Sequence, residues 1–151
     1  MEEPIEGHFV MLLDGSIWEV KGFMHPQDHL IAYPRYVPCG KGYVKVSSLT
    51  MKCNLLDSTY KRFMKYSSVY DMVLPHIPKK SIVKVYDPKT RLLEVFREPK
   101  DPLEQAASKM LHMMLDMYNV DLELLGITGS MLPKLHTLRS VSYTHLTLPT
   151  N

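Results

Sequence analysis

Apolar and polar positions alternate with a period of two over the first fifty residues, and turn-forming pairs interrupt the alternation repeatedly. In HFVMLLDGSIWEVKGF, Asp14-Gly15 stands between two apolar runs, a pair suited to the left-handed backbone of a tight hairpin. The pattern predicts a half-buried second strand, with Ile17, Glu19 and Lys21 facing one way and Trp18, Val20 and Gly22 the other. A turn follows at His25-Pro26-Gln27-Asp28, and then a strand over HLIAYPRYVP. Pro34 and Pro38 each remove a ladder donor from that strand, which predicts an edge position. CGKG marks another turn before the alternating YVKVSSL. Together these segments predict a small antiparallel sheet or incomplete barrel.

The pattern then changes. LLDSTYKRFMKY predicts a short helix capped by Asp57 or Ser58, with Tyr60, Phe63 and Met64 on one face. Pro75, Pro78 and Pro88 break the next stretch, leaving a short helix or turn over Ile82–Tyr86 and a second short helix over Leu92–Phe96. The clearest helix begins at Asp101, which can cap it. Pro102 suits the first helical position and Glu104 has capping-box spacing. Leu103, Ala106, Ala107, Met110, Met114 and Met117 form its apolar face, and Asn119 is its stop. Leu122 to Thr128 reads as a short strand entering Gly129-Ser130. No internal repeat appears. The fold class is α+β, with a β-rich module over 1–74, a helical connector over 75–100 and a third segment from 101.

Composition narrows the class without naming a function. The chain has 151 residues, 45% apolar and 23% charged, enough for one domain or one small domain and part of another. No apolar run approaches the length of a membrane span, and MEEPIEG lacks the apolar centre of a secretory signal. Cys39 and Cys53 have no partner pair at zinc-site spacing, so free thiols in a reduced, cytoplasmic chain are expected. The eleven methionines read as adaptable core filling, mostly on one helix.

A net charge of +2 does not by itself argue for nucleic acid. Arg35, Lys41, Lys45, Lys52, Lys61, Arg62 and Lys65 nevertheless interleave with Tyr33, Tyr36, Tyr43, Tyr60 and Tyr66. Basic strands with exposed aromatics can track single-stranded nucleic acid. The plainer alternative is a solvated face with tyrosines packed at the sheet edge. His25 and His29 are four apart, but Pro26 makes a turn there, so no helical metal-ligand pair is expected. His112 reads as a partly exposed residue beside the apolar helix face. His136 either approaches a phosphate or packs against a short helix. No Ser-His-Asp or Cys-His spacing is evident.

The remaining chemistry lies in GITGSMLPKLHTLRS, Gly126–Ser140. A strand that ends in Gly-Ser and leads into a helix offers backbone N–H groups, a hydroxyl and a positive helix end to phosphate. A lone Gly-Ser pair is more often a simple turn. This stretch, however, resembles the opening motif of the DNA polymerase β-like nucleotidyltransferase superfamily. More broadly, Gly7 to Ser140 resembles archaeal nucleotidyltransferase-domain proteins. The matching residues are IWEVKGFMHPQDHLIAYPRYVP (Ile17–Pro38), VYDP (Val85–Pro88), GITGS and LHT (Leu135–Thr137).

The resemblance implies that Gly129 and Ser130 hold the phosphates of a nucleoside triphosphate. It also implies a following Asp-x-Asp strand that binds two magnesium ions bridging the attacking and leaving oxygens. Those aspartates would align with Val141 and Tyr143, neither of which offers a ligand to a hard cation. No Asp or Glu follows Glu123. VSYTHLTLPTN, over 141–151, resembles a translated sequencing adapter, which places the natural break at Ser140; the alternative is a degenerate site.

The segment 101–140 is then the start of an incomplete nucleotidyltransferase α/β sheet, exposing a sheet edge and the methionine face of its helix. The parent would transfer a nucleotidyl group from a nucleoside triphosphate using magnesium, while this chain would be inactive. The alternative is a non-catalytic RNA- or protein-binding module using Arg35, Lys41, Lys45, Lys52 and Arg62.

Overall fold

Gly15 adopts φ of +83° at the tip of the first hairpin, joining β1 (Phe9–Leu12) to β2 (Ile17–Val20). In the computed structural model, which describes residues 2–137, the chain forms one unit ending at Val85 and another beginning at Tyr86. The mixed α+β class is as expected. No helix among the described residues is long and apolar enough to cross a membrane.

The first unit is built on seven strands. After β1 and β2 come β3 (His29–Cys39), β4 (Gly42–Lys45), β5 (Met64–Ser67), β6 (Met72–Pro78) and β7 (Ile82–Tyr86). The sheet order is β5-β6-β3-β2-β1-β7, with β4 also paired to β3. Helix α1 (Leu49–Asp57) lies between β4 and β5 and is capped by Ser48, whose Oγ accepts from Met51 N at 3.1 Å.

Its core centres on Trp18, which is fully buried. Tyr60 and Phe63 meet the indole edge-on, with ring centroids at 4.9 and 5.8 Å. The hairpin turn is tied to the same cluster by polar contacts. Trp18 Nε1 donates to Ser16 Oγ at 2.8 Å, Ser16 Oγ donates to Asp14 Oδ1 at 2.5 Å, and Tyr60 OH donates to Asp14 Oδ2 at 2.9 Å. Burial alone would raise the Asp14 carboxyl. Donation from the Ser16 hydroxyl and amide and the Tyr60 hydroxyl instead holds it below its ordinary range.

Several expectations are corrected here. β3 is not an edge strand, because it changes partners along its length. His29–Ile31 pair with β6, Ala32–Tyr36 with β2, and Tyr36–Cys39 with β4. Pro34 falls between the β6-paired and β4-paired stretches, where its missing N–H interrupts neither ladder, and the β2 register shifts opposite it. β2 is more than half-buried, since Ile17, Trp18 and Val20 are all covered and Glu19 partly so.

The helix expected after Leu55 ends at Asp57, where the Ser58 hydroxyl donates back to Asn54 O and acts at the C-terminal end. Tyr60 and Phe63 still reach the core, but from a 3₁₀ turn, and Met64 opens β5. Ile82–Tyr86 is a strand beside β1, consistent with its β-branched residues. A boundary at residue 74 therefore falls inside β6, and 75–100 is not a helical connector: it holds the end of β6, a 3₁₀ turn over Lys79–Ser81, β7 and α2 (Pro88–Arg97), which contains the helix expected over Leu92–Phe96.

The second unit packs α2 and α3 (Pro102–Met117) around Leu92, Val95, Ala107, Leu111, Leu125, Ile127 and Met131. Asp101 caps α3 and Pro102 occupies its first turn, as expected. The buried stripe of α3 is rotated from the expected one. Glu104, Ala107, Ser108 and Leu111 face inward, while Met110, Met113 and Met117 are exposed. Ser108 Oγ donates to Phe96 O at 3.3 Å, so polar contacts with α2 help select this stripe. Most methionines of this helix are thus surface residues and not core filling. Leu122–Thr128 is a 3₁₀ turn followed by irregular chain, not a strand.

Replacing Trp18 with Ala should destabilise the first unit by about 3–5 kcal/mol, through lost burial and a residual cavity. Tyr60→Phe should cost about 1 kcal/mol by removing the hydroxyl that satisfies Asp14. Urea denaturation followed by far-ultraviolet circular dichroism checks both, because Trp18 is the sole tryptophan and its fluorescence would be lost.

Candidate functional site

The Gly-Ser segment belongs to the second unit and is held along its length. A Cβ on Gly126 would lie 2.7 Å from Pro88 Cβ, so the chain can pass against the start of α2 only with glycine there. Ile127 N then donates to Pro88 O at 3.0 Å. Gly129 adopts φ of +74°, and nothing lies within 4 Å of where its Cβ would be, so the backbone conformation, not crowding, calls for glycine. Gly129–Met131 form a 3₁₀ turn, with Leu132 N donating to Gly129 O at 3.2 Å and Leu135 N to Ser130 O at 2.9 Å. No α-helix follows among the described residues, so the helix-dipole element of the expected phosphate turn is missing there.

Beside the turn lies Arg91, 5% exposed, whose guanidinium links three elements. Nε donates to Met131 O at 2.8 Å, and one terminal nitrogen reaches Glu94 Oε2 on the same helix at 3.2 Å. The other forms an ion pair with Glu104 Oε1 on α3. The second oxygen of Glu104 accepts from Lys100 N at 2.8 Å. Glu104 thus departs from the reciprocal capping box its spacing implied: it reaches the residue before the cap and neutralises a buried arginine.

His136 Nε2 lies 2.6 Å from Asp101 Oδ2, and its side chain is 8% exposed. The contact is with the N-terminal cap of α3, not with the short helix expected after the Gly-Ser turn. Asp101 meanwhile caps α3, its Oδ1 accepting from Leu103 N and Glu104 N at 2.9 Å. The Glu104 amide, aided by His136, holds the Asp101 carboxyl below its ordinary range. Lys134 Nζ lies 3.2 Å from Glu94 Oε2. Burial would raise Glu94, but the Lys134 and Arg91 charges keep it low. A shallow cleft of about 470 Å³ runs past these groups, lined among others by Arg91, Glu94, Arg97, Lys100 and Lys134.

Among the described residues, donor atoms of Asp101, Glu104 and His136 lie within 4.8 Å of one another, a grouping of metal-ligand kind. It does not fit magnesium. Asp101 is committed to the helix cap, Glu104 already balances Arg91, and an incoming dication would meet that guanidinium. Val141 and Tyr143, with the whole of 141–151, lie outside the described residues.

The basic, tyrosine-rich segment is divided by the fold. Tyr36 and Tyr60 are buried, Tyr33 is half-buried, and only Tyr43 and Tyr66 are exposed. Lys41 and Lys45 lie on the exposed β3–β4 hairpin, Arg35 and Lys52 are half-buried, and Arg62 sits 4.4 Å from the Phe63 ring centroid. His25 Nδ1 accepts from Ile31 N at 3.1 Å, and burial lowers its pKa. His29 Nδ1 contacts Gln27 O instead, so the two histidines take separate backbone partners around one turn. His112 stacks on Phe96 with centroids at 4.3 Å. Cys39 and Cys53 are exposed free thiols. Sequence reasoning missed Arg91 and Glu104, and nothing in their spacing marks them as partners. The one available signal was Glu104 at the capping-box position.

No family model matches the chain, and no solved structure matches it. Among curated proteins it is similar to an uncharacterised protein of the archaeon Methanocaldococcus jannaschii, with 25% identity over 150 residues. That similarity covers 87% of this chain and 44% of the relative, so the chain spans less than half of that protein's length.

The lowered Asp101 pKa sets the sign of a pH dependence. Its charged form stabilises the fold fully above the unfolded carboxylate range, near pH 4, and that contribution is lost as pH falls through the lower folded value. Asp101→Ala should therefore destabilise the second unit by about 1 kcal/mol at pH 7. The difference from the parent chain should shrink as pH falls, as read by denaturation midpoints at pH 7, 4 and 3.

Proposed function

We propose that this chain is part of a longer nucleotidyltransferase-like protein in which Gly129 and Ser130 contact the phosphates of a nucleoside triphosphate. In that protein, magnesium would be held by carboxylates that this chain lacks. The observation that carries the reading is Gly129: a left-handed glycine with open space above it heads a turn whose Met131 carbonyl is gripped by Arg91. Backbone can approach a phosphate closely only where no Cβ intervenes. Similarity to an archaeal protein more than twice as long supports the view that a catalytic remainder lies elsewhere. A reduced, cytoplasmic setting suits the two exposed thiols. Without the metal-binding carboxylates the chain loses several kcal/mol of transition-state stabilisation and is inactive.

The second reading, an RNA- or protein-binding module, draws on the exposed β4, where Tyr43 lies between Lys41 and Lys45. The burial of Tyr36 and Tyr60 removes much of its stacking surface, so it ranks below the first.

Titration of the chain with ATP and magnesium by isothermal calorimetry tests the assignment. Weak binding is expected, with no release of pyrophosphate. Gly129→Val and Ser130→Ala should each weaken that binding, with stability measured in parallel because valine is strained at positive φ. Undiminished ATP binding in both variants, or none in the parent chain, would remove the turn from consideration. An RNA-binding module would instead bind oligonucleotide with an affinity falling steeply between about 50 and 200 mM salt.

A further inference from the structure

We propose that Arg91 is the positioning residue of the Gly129–Met131 turn, setting the conformation from which it meets phosphate; the phosphate part rests on the reading above. Between Ile127 and His136 the chain has only a 3₁₀ turn and a reversal at Lys134, whose φ is +60°. This stretch is tied to the helices by Ile127 N to Pro88 O, Met131 O to Arg91 Nε, Lys134 Nζ to Glu94 Oε2, and His136 to Asp101. Of these, the Arg91 tie falls inside the turn itself.

Arginine suits this place for a geometric reason. Its planar fork directs N–H groups in fixed directions, and here they reach the turn, α2 and α3 at once. A lysine ammonium could retain the charge balance with Glu104, but it is a point donor and cannot hold Met131 O from the same rigid plane. Stability alone does not account for the pair. A buried ion pair is often matched or exceeded by apolar side chains of similar volume, because desolvation cancels most of the Coulombic gain. What apolar replacements cannot supply is a donor to the Met131 carbonyl.

The test compares the parent chain with R91K and with the double variant R91M/E104M, which removes both charges together. Each is read by chemical denaturation, by amide hydrogen exchange over Gly129–Leu135, and by titration with ATP and magnesium. R91K keeps a cation against Glu104 and so keeps the fold measurable even if the double variant does not fold. The expected result is near-parental unfolding midpoints, with exchange across the turn faster by about tenfold and ATP affinity lower by about tenfold. Parental exchange rates across the turn in a folded variant would overturn the positioning role. A parent chain that binds no ATP, with faster exchange in the variants, would refute the nucleotide reading while leaving Arg91 as the residue that holds the turn.

Discussion

One buried ion pair, Arg91 with Glu104, joins α2, α3 and the Gly129 turn of the second unit. A guanidinium and a carboxylate that leave water lose several kcal/mol of hydration each, and they coexist inside a fold only when their remaining hydrogen-bonding positions are also filled. Arg91 and Glu104 meet that condition by recruiting groups from beyond their own helices. The Met131 carbonyl and Lys100 amide complete them, with Glu94 at the partly exposed end. The same requirement turns α3 so that Glu104, Ala107, Ser108 and Leu111 face inward and its methionines face out. The Gly129 turn is held in the same network, through the Met131 carbonyl.

The first unit solves a comparable problem on a smaller scale. Asp14 is needed at the hairpin for its local backbone bonding, yet it sits against the buried Trp18–Tyr60–Phe63 cluster. Donors from Ser16 and Tyr60 keep its charge satisfied there, so the turn and the aromatic core stabilise each other across 46 positions of sequence. Both units place a carboxylate where it joins local backbone structure to distant packing.

Local signals were legible wherever the physics is local. Asp14-Gly15 and the Asp101-Pro102 cap identified elements that formed as read, while the short helix expected over Leu92–Phe96 lies within a longer α2 that begins at Pro88. Readings that depended on partners were less secure. Pro34 argued for an edge because a proline cannot donate, but β3 exchanges one neighbour for another around that position. Ile82–Tyr86 shows its strand character only once β1 is beside it. Tyr36 and Tyr60 resembled binding aromatics until the sheet enclosed them.

The candidate site shows the same division. Gly129 could be singled out in sequence through the resemblance that GITGS carries, and its positive φ is a property of one residue. Arg91 was silent, and Glu104 signalled only a capping box; 13 positions apart, nothing marked them as partners. The sequence by itself determined the hairpin turn at Asp14-Gly15 and the cap of α3 at Asp101, since each follows from contacts within a few residues. Only the tertiary structure decided which helix face is buried, which tyrosines remain available and which arginine holds the turn. Those outcomes depend on desolvation, and a group's exposure to water is settled by the residues that pack over it.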